Sequence, residues 1–216
     1  MASNNKAVVA AGLGVGLLAM LTLRKSEGSA MTPKKPVSSN QAKAVTLAVK
    51  YSAVFGGPPS LLIAIMQIES NNRFDAINMK NARGGAWGIC QMTLDTAKDL
   101  TKRFQTVAKK YWPRFDGTGQ SLLDPETNVA LAAFQVGLLW KAFKAKPNNW
   151  LVAGLAYHQG SGTISKLLAA GNGRLVPTQI PPNGKIYYAG LQKQQTGNPV
   201  VAKAINNERG SGFAYV

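Results

Sequence analysis

The clearest hydrophobic pattern in the chain lies between Pro58 and Ser70, PPSLLIAIMQIES, where Leu62, Ile65, Met66 and Glu69 recur at i, i+3, i+4 and i+7. The spacing predicts an amphipathic helix that opens at Ser60 as N-cap behind two prolines. It also places one carboxyl on the stripe that the aliphatic side chains bury. A second helix is predicted over 41–55, with Ala44, Val45, Ala48, Val49 and Ser52 along one face and Gly56-Gly57 as its stop. Thr93 caps a helix running from Leu94 towards Tyr111. The run 128–144, NVALAAFQVGLLWKAFK, is apolar enough to be a core helix. Shorter helices follow over 150–157, 165–170 and 186–194. The stretches 71–88, 113–127 and 171–184 are rich in Gly, Asn or Pro and read as loops. No run of alternating apolar residues argues for a sheet and no internal repeat is present. The fold class is mainly α.

The N-terminus has a different pattern. Residues 7–23 form a 17-residue stretch without a charge, flanked by Lys6 and by Arg24-Lys25. At about 1.5 Å per residue such a helix just spans a hydrocarbon core of roughly 30 Å. Gly12 and Gly16 form a G-x-x-x-G pair that lets two membrane helices approach closely. A transmembrane helix is the preferred reading. A signal-peptide core cleaved at Gly28-Ser29-Ala30 and a buried soluble helix compete with it. The flanking charges would leave the bulk of the chain in the cytoplasm by the positive-inside rule. Residues 26–40, SEGSAMTPKKPVSSN, read as a linker. The expected organisation is therefore a hydrophobic segment over 1–25, a linker over 26–40, a globular domain over 41–194 and a loosely packed tail over 195–216.

Composition sharpens this picture only in part. Of the 216 residues 45% are hydrophobic, enough for a sizeable core. Lys and Arg number 25 against 9 Asp and Glu, a formal net charge of +16. Residues 1–40 contribute +4 of it and the remainder +12, so the globular part is basic by itself. Such a field favours nucleic acid, anionic lipid or an acidic cell-wall polymer, and charge alone does not choose among them. Lys98, Lys102, Arg103, Lys109 and Lys110 interleave with Phe104, Tyr111 and Trp112, a composition compatible with nucleic-acid binding by stacking and phosphate contact. A solvated helix face whose aromatics belong to the core is the preferred reading. The single Cys90 excludes an internal disulfide and reads as a small buried hydrophobe. The single His158 argues against a Ser–His–Asp triad or a His-rich metal site, and nothing in the chain calls for a cofactor.

The candidate chemistry lies in four patches that the fold must bring together. Glu69 comes first. A carboxyl held against apolar neighbours favours its protonated form, which suits it to donate a proton to a leaving group. The adjacent Ser70 hydroxyl can orient it or touch a ligand. The second patch is GGAWGICQM over 84–92, where glycines allow tight turns and Gln91 can both donate and accept. The third is AYHQGSG over 156–162, with Tyr157 and His158 beside a Gly-rich turn, and the fourth is Tyr187-Tyr188. Aromatics along a groove suit carbohydrate, whose rings have apolar faces and hydroxylated edges.

Glu69-Ser70, then Gly-Ala-x-Gly-x-x-Gln, then Ala-Tyr-x-x-Gly-x-Gly, in this order, resemble the soluble lytic transglycosylase family over roughly residues 41–192. The resemblance implies a lysozyme-like helical fold related to the goose-type lysozymes. It implies cleavage of the β-1,4 bond between N-acetylmuramic acid and N-acetylglucosamine in peptidoglycan. One Glu would act as acid on the leaving oxygen and then as base on the muramoyl 6-hydroxyl, closing a 1,6-anhydro ring. By the match Glu69 is that residue and Ser70 its neighbour. Gln91 lines the groove, Tyr157 stands near the carboxylate, and the late family tyrosine falls on Tyr187 or Tyr188. His158 stands where the family usually has Asn, and reads as a groove-lining donor or a satisfied turn residue.

A hydrolytic lysozyme on the same fold needs a second acid at a defined separation, and acids are scarce: Asp75, Asp95, Asp99, Asp116, Asp124 and Glu126. A non-catalytic, membrane-anchored protein that binds glycan or DNA is the reading from a different class. The apolar segment, basic charge and small enzyme domain together point to a device that opens cell wall locally. It would be a phage virion or secretion-apparatus component acting on the periplasmic wall, or a bacterial inner-membrane enzyme facing the periplasm.

Overall fold

Helix α2 (Pro59–Ser70) runs through the interior of the domain. Leu61 to Met66 are all buried, with no polar side among them. A helix that is apolar all round must be covered all round, and five helices do this: α1 (Ser39–Phe55), α5 (Pro125–Phe143), α6 (Asn149–Gln159), α8 (Pro182–Gly197) and α9 (Pro199–Gly210). The computed structural model describes residues 39–81 and 84–210. The apolar segment 7–23, nearly all of the linker and the last six residues lie outside them. Among the described residues no helix is long and apolar enough to cross a membrane.

The mainly α expectation holds, with nine α-helices among the described residues. The core face of α1 differs from the one the periodicity picked out. Leu47 and Tyr51 turn inward beside Ala44, Ala48 and Ser52, whereas Val49 is about half exposed. Tyr51 extends to donate to the Glu126 carboxylate, a contact the stripe of small residues could not make. Where α1 meets α5 the backbones nearly touch: a Cβ on Gly137 would lie 2.4 Å from the Phe55 carbonyl oxygen.

Ser60 is not the N-cap of α2. The cap position falls on Pro58, and Ser60 is buried inside the first turn, where it meets Glu208. The predicted loop 71–88 contains two strands of a small antiparallel sheet, so the expectation of no sheet is corrected. Its order is β1 (Ile77–Asn78), β2 (Ala86–Trp87), β3 (Met92–Thr93), with Ile77 opposite Trp87 and Ala86 opposite Thr93. Strands of two residues are too short to show alternation.

Thr93 does cap a helix, its hydroxyl accepting from the Thr96 N–H. That helix breaks at Phe104 into α3 (Leu94–Arg103) and α4 (Gln105–Tyr111), because Phe104 leaves the helical backbone and meets Phe134 edge-on at 4.9 Å. Phe55, Tyr111 and Trp112 complete this aromatic cluster. The aromatics among the lysines are therefore core residues rather than a stacking platform for bases.

Asp124, inside the predicted loop 113–127, is the N-cap of α5 and accepts from the Thr127 N–H. Helix α7 (Ser161–Ala170) starts earlier than predicted. The expected tail over 195–216 is ordered structure through residue 210: α8 runs to Gly197, and α9 docks Val201, Ile205 and Glu208 against α2. Its apolar residues at i and i+4 are too few to stand out among Asn and Gly.

Candidate active site

Glu69 lies in the last turn of α2, where the helix emerges from the core. Gln67, Ile68 and Glu69 are partly exposed after the buried run to Met66. The Glu69 side chain retains 17% exposure, and its Oε1 faces the Nδ1 of His158 at 3.9 Å. Its surroundings are thus polar on one side, not the purely apolar cradle that the stripe implied. The His158 ring lies flat on Tyr187, centroids 4.2 Å apart and planes 5° off parallel. The Tyr187 hydroxyl is buried and closes no hydrogen bond of good geometry. Burial, then the Glu69 charge, pushes it well above the ordinary range of a phenol. Burial, then the nearby Cys90 and Glu69, does the same to Tyr157. Both tyrosines therefore stay protonated donors at any working pH.

The strip Gly88 to Gln91 is pinned from three directions. From α2, Ser70 Oγ donates to the Ile89 carbonyl at 2.8 Å. From α6, Tyr157 OH donates to the Cys90 carbonyl at 2.9 Å. From α5, Asn128 accepts from the Cys90 N–H at 2.9 Å and donates to the Trp87 and Leu122 carbonyls at 2.8 and 2.9 Å. Gly88 must be glycine here: its φ is +70°, and a Cβ would sit 2.5 Å from the Asn128 amide nitrogen. Cys90 is fully buried, as its apolar setting predicts.

These bonds decide what each predicted site residue can offer a ligand. Ser70 is buried, and its hydroxyl donates within the protein while accepting from the Arg73 N–H. It braces the acid-bearing helix against the strip and is not placed to bind substrate. Gln91 adopts a φ of +47°, and its amide nitrogen donates to the Ala76 and Gly88 carbonyls. Its carbonyl oxygen remains as the acceptor it can present. Tyr187 and Tyr188 separate cleanly: Tyr187 is buried against His158, while Tyr188 is only partly buried at the edge of the core. Asn128 was not singled out by sequence, although a lone amide opening an otherwise apolar run is a signal for it.

An open groove of about 840 Å³ runs along α3, the C-terminal half of α5 and the α6–α7 junction. Gln91, Tyr157 and His158 line it, so it reaches the imidazole that faces Glu69. Asp95, Asp99 and Arg103 stand on its α3 wall, with Asp99 and Arg103 paired at 2.6 Å. A carboxyl beside a groove furnished with a phenol, amides and an imidazole suits acid–base work on a polyhydroxylated substrate.

No curated protein matches the chain closely. Residues 46–174, more than half of it, match the model of the transglycosylase SLT domain. The chain therefore belongs to the soluble lytic transglycosylase family, enzymes of lysozyme-like fold that cleave the glycosidic bonds of peptidoglycan as lyases.

Proposed function

We propose that Glu69 alone carries the chemistry, cutting the N-acetylmuramic acid β-1,4 N-acetylglucosamine bond and leaving 1,6-anhydro ends. The carrying observation is that Glu69 emerges from a buried helix to face His158 and Tyr187 at the side of the groove. In the first step the Glu69 proton passes to the departing O4 as the C1–O4 bond breaks. In the second the muramoyl 6-hydroxyl attacks C1, and its proton returns to the Glu69 carboxylate. The acid is regenerated and no water is consumed. Gln91 supplies an acceptor to sugar hydroxyls and Tyr157 holds the strip that carries it.

The hydrolytic reading draws on one observation: Asp95 and Asp99 reach the groove wall, where a second carboxylate could activate water. Asp99 is committed to Arg103, which favours the one-carboxylate route. Analysis of the muropeptides released from purified peptidoglycan separates the readings. Anhydro-ended products are expected, reducing ends would establish a hydrolase, and no products would establish a binding protein.

We further propose that the chain opens the wall locally, as a virion or secretion component held to a membrane by residues 7–23. An uncharged 17-residue stretch, a linker and a basic catalytic domain in series support this reading. Removal of residues 1–25 should release the protein from lipid vesicles. Retention by the vesicles would contradict the anchor.

A further inference from the structure

We propose that the arm of the groove between α3 and α5 takes the stem peptide that peptidoglycan carries on its muramoyl lactyl groups, with Arg103 as the residue that selects it. The proposal rests on Glu69 acting at the muramoyl C1–O4 bond. The lactyl group hangs on C3 of that same ring, so the peptide leaves the sugar within a ring's width of the breaking bond. A groove that reaches the imidazole facing Glu69 therefore has a short acidic peptide to accommodate as well as a glycan.

The lining changes character along the groove. Around Gln91, Tyr157 and His158 it offers rings and amides, groups that suit a pyranose. Between α3 and α5 no aromatic side chain lines it among the described residues. Leu138, Leu139 and Ala142 of α5 stand there instead, Leu138 with 38% of its surface exposed, together with Asp99 and Arg103 of α3. Such a wall gives a sugar ring no platform to stack on. It fits the alanine methyls and the carboxylates of a stem peptide. The Asp99–Arg103 pair can change partners at little cost, because its side chains are 56% and 59% exposed and an ion pair so open to water is weak. Arg103 stays in place when Asp99 lets go: its guanidinium rests over the Phe104 ring, 5.6 Å from the centroid, and that ring packs edge-on against Phe134. A peptide carboxylate can then accept from both prongs of the guanidinium, leaving Asp99 to face an ammonium group or solvent.

The test gives the full-length protein two substrates: glycan strands that keep their peptides, and strands stripped by an amidase that cuts between lactyl group and peptide. The ratio of kcat/KM should favour the peptide-bearing strands by about tenfold or more, as a bidentate charge-assisted contact allows. In Arg103→Ala the ratio should fall towards one, with the loss in KM rather than kcat. Leu138→Glu, which sets a like charge against the peptide carboxylates from a half-exposed position, should lower it too. Lys102→Gln removes the same charge from α3 outside the groove and should leave the ratio where it was. An equal fall in Lys102→Gln would reduce the effect to the general basic field, and a ratio near one in the unaltered protein would remove it; either overturns the proposal. Titration with a muramoyl peptide, with and without the Arg103 side chain, keeps this apart from the role of Glu69. Arg103-dependent binding by a protein that releases no products would uphold the peptide arm and overturn the activity instead.

Discussion

Glu69→Gln should lower turnover on peptidoglycan by about 10³-fold or more, at the upper end of what general acid–base groups contribute. The amide has nearly the shape of the acid and can still accept a hydrogen bond. It can neither give the departing O4 a proton nor receive one from the 6-hydroxyl, so both halves of the reaction lose their partner. The fold should hardly notice. Glu69 sits where α2 leaves the core, and the helix is anchored by the buried run from Leu61 to Met66. The melting temperature should therefore move by no more than a few degrees. Assays on purified sacculi with a folded variant decide the matter: more than about a tenth of the original rate would place the acid elsewhere. Loss of rate together with loss of helical signal would show a structural residue, and a chemical role for Glu69 would then have to be withdrawn.

What could be read from the chain alone followed from the range of the interactions. Helix α2 was legible because its apolar spacing is local, and Glu69, Gln91 and Tyr157 could be put forward as candidates because their motifs are contiguous. The choice between Tyr187 and Tyr188 required knowing which face of α8 meets α6. Asn128 bonds to Cys90 across 38 positions, and Glu208 to Ser60 across 148. Neither partner leaves a mark near the other in sequence. The break at Phe104 arises from Phe134 in another helix, and no propensity in 94–111 announces it. Charge patterning likewise marked the lysines of α3 and α4 but not that their aromatic neighbours point inward.

The C-terminal helix illustrates the same limit and has a large measurable consequence. Its buried Glu208 accepts from the Ser60 N–H at 2.5 Å and the Ser60 hydroxyl at 2.7 Å, while the Trp150 indole N–H donates to that hydroxyl at 2.9 Å. A residue from α9, beyond the stretch matched to the family, thus completes the first turn of the helix that carries Glu69 in its last turn. Burial outweighs the two Ser60 donors and pushes the Glu208 carboxyl from 4.5 up to about 7. The folded protein then keeps a proton that the unfolded chain has released between those values. The associated stability is fully present below pH 4.5 and is lost as pH rises through about 7. A shift of this size corresponds to about 3 kcal/mol, or roughly 10 °C in melting temperature for a domain of this length. Glu208→Gln cannot ionise, so its stability should lack this component. The melting-temperature gap between the two proteins should change in favour of the variant by roughly that amount from pH 4.5 to pH 8. A gap that stays constant across this range would mean that Glu208 is ionised throughout, held so by Ser60 and the amino end of α2.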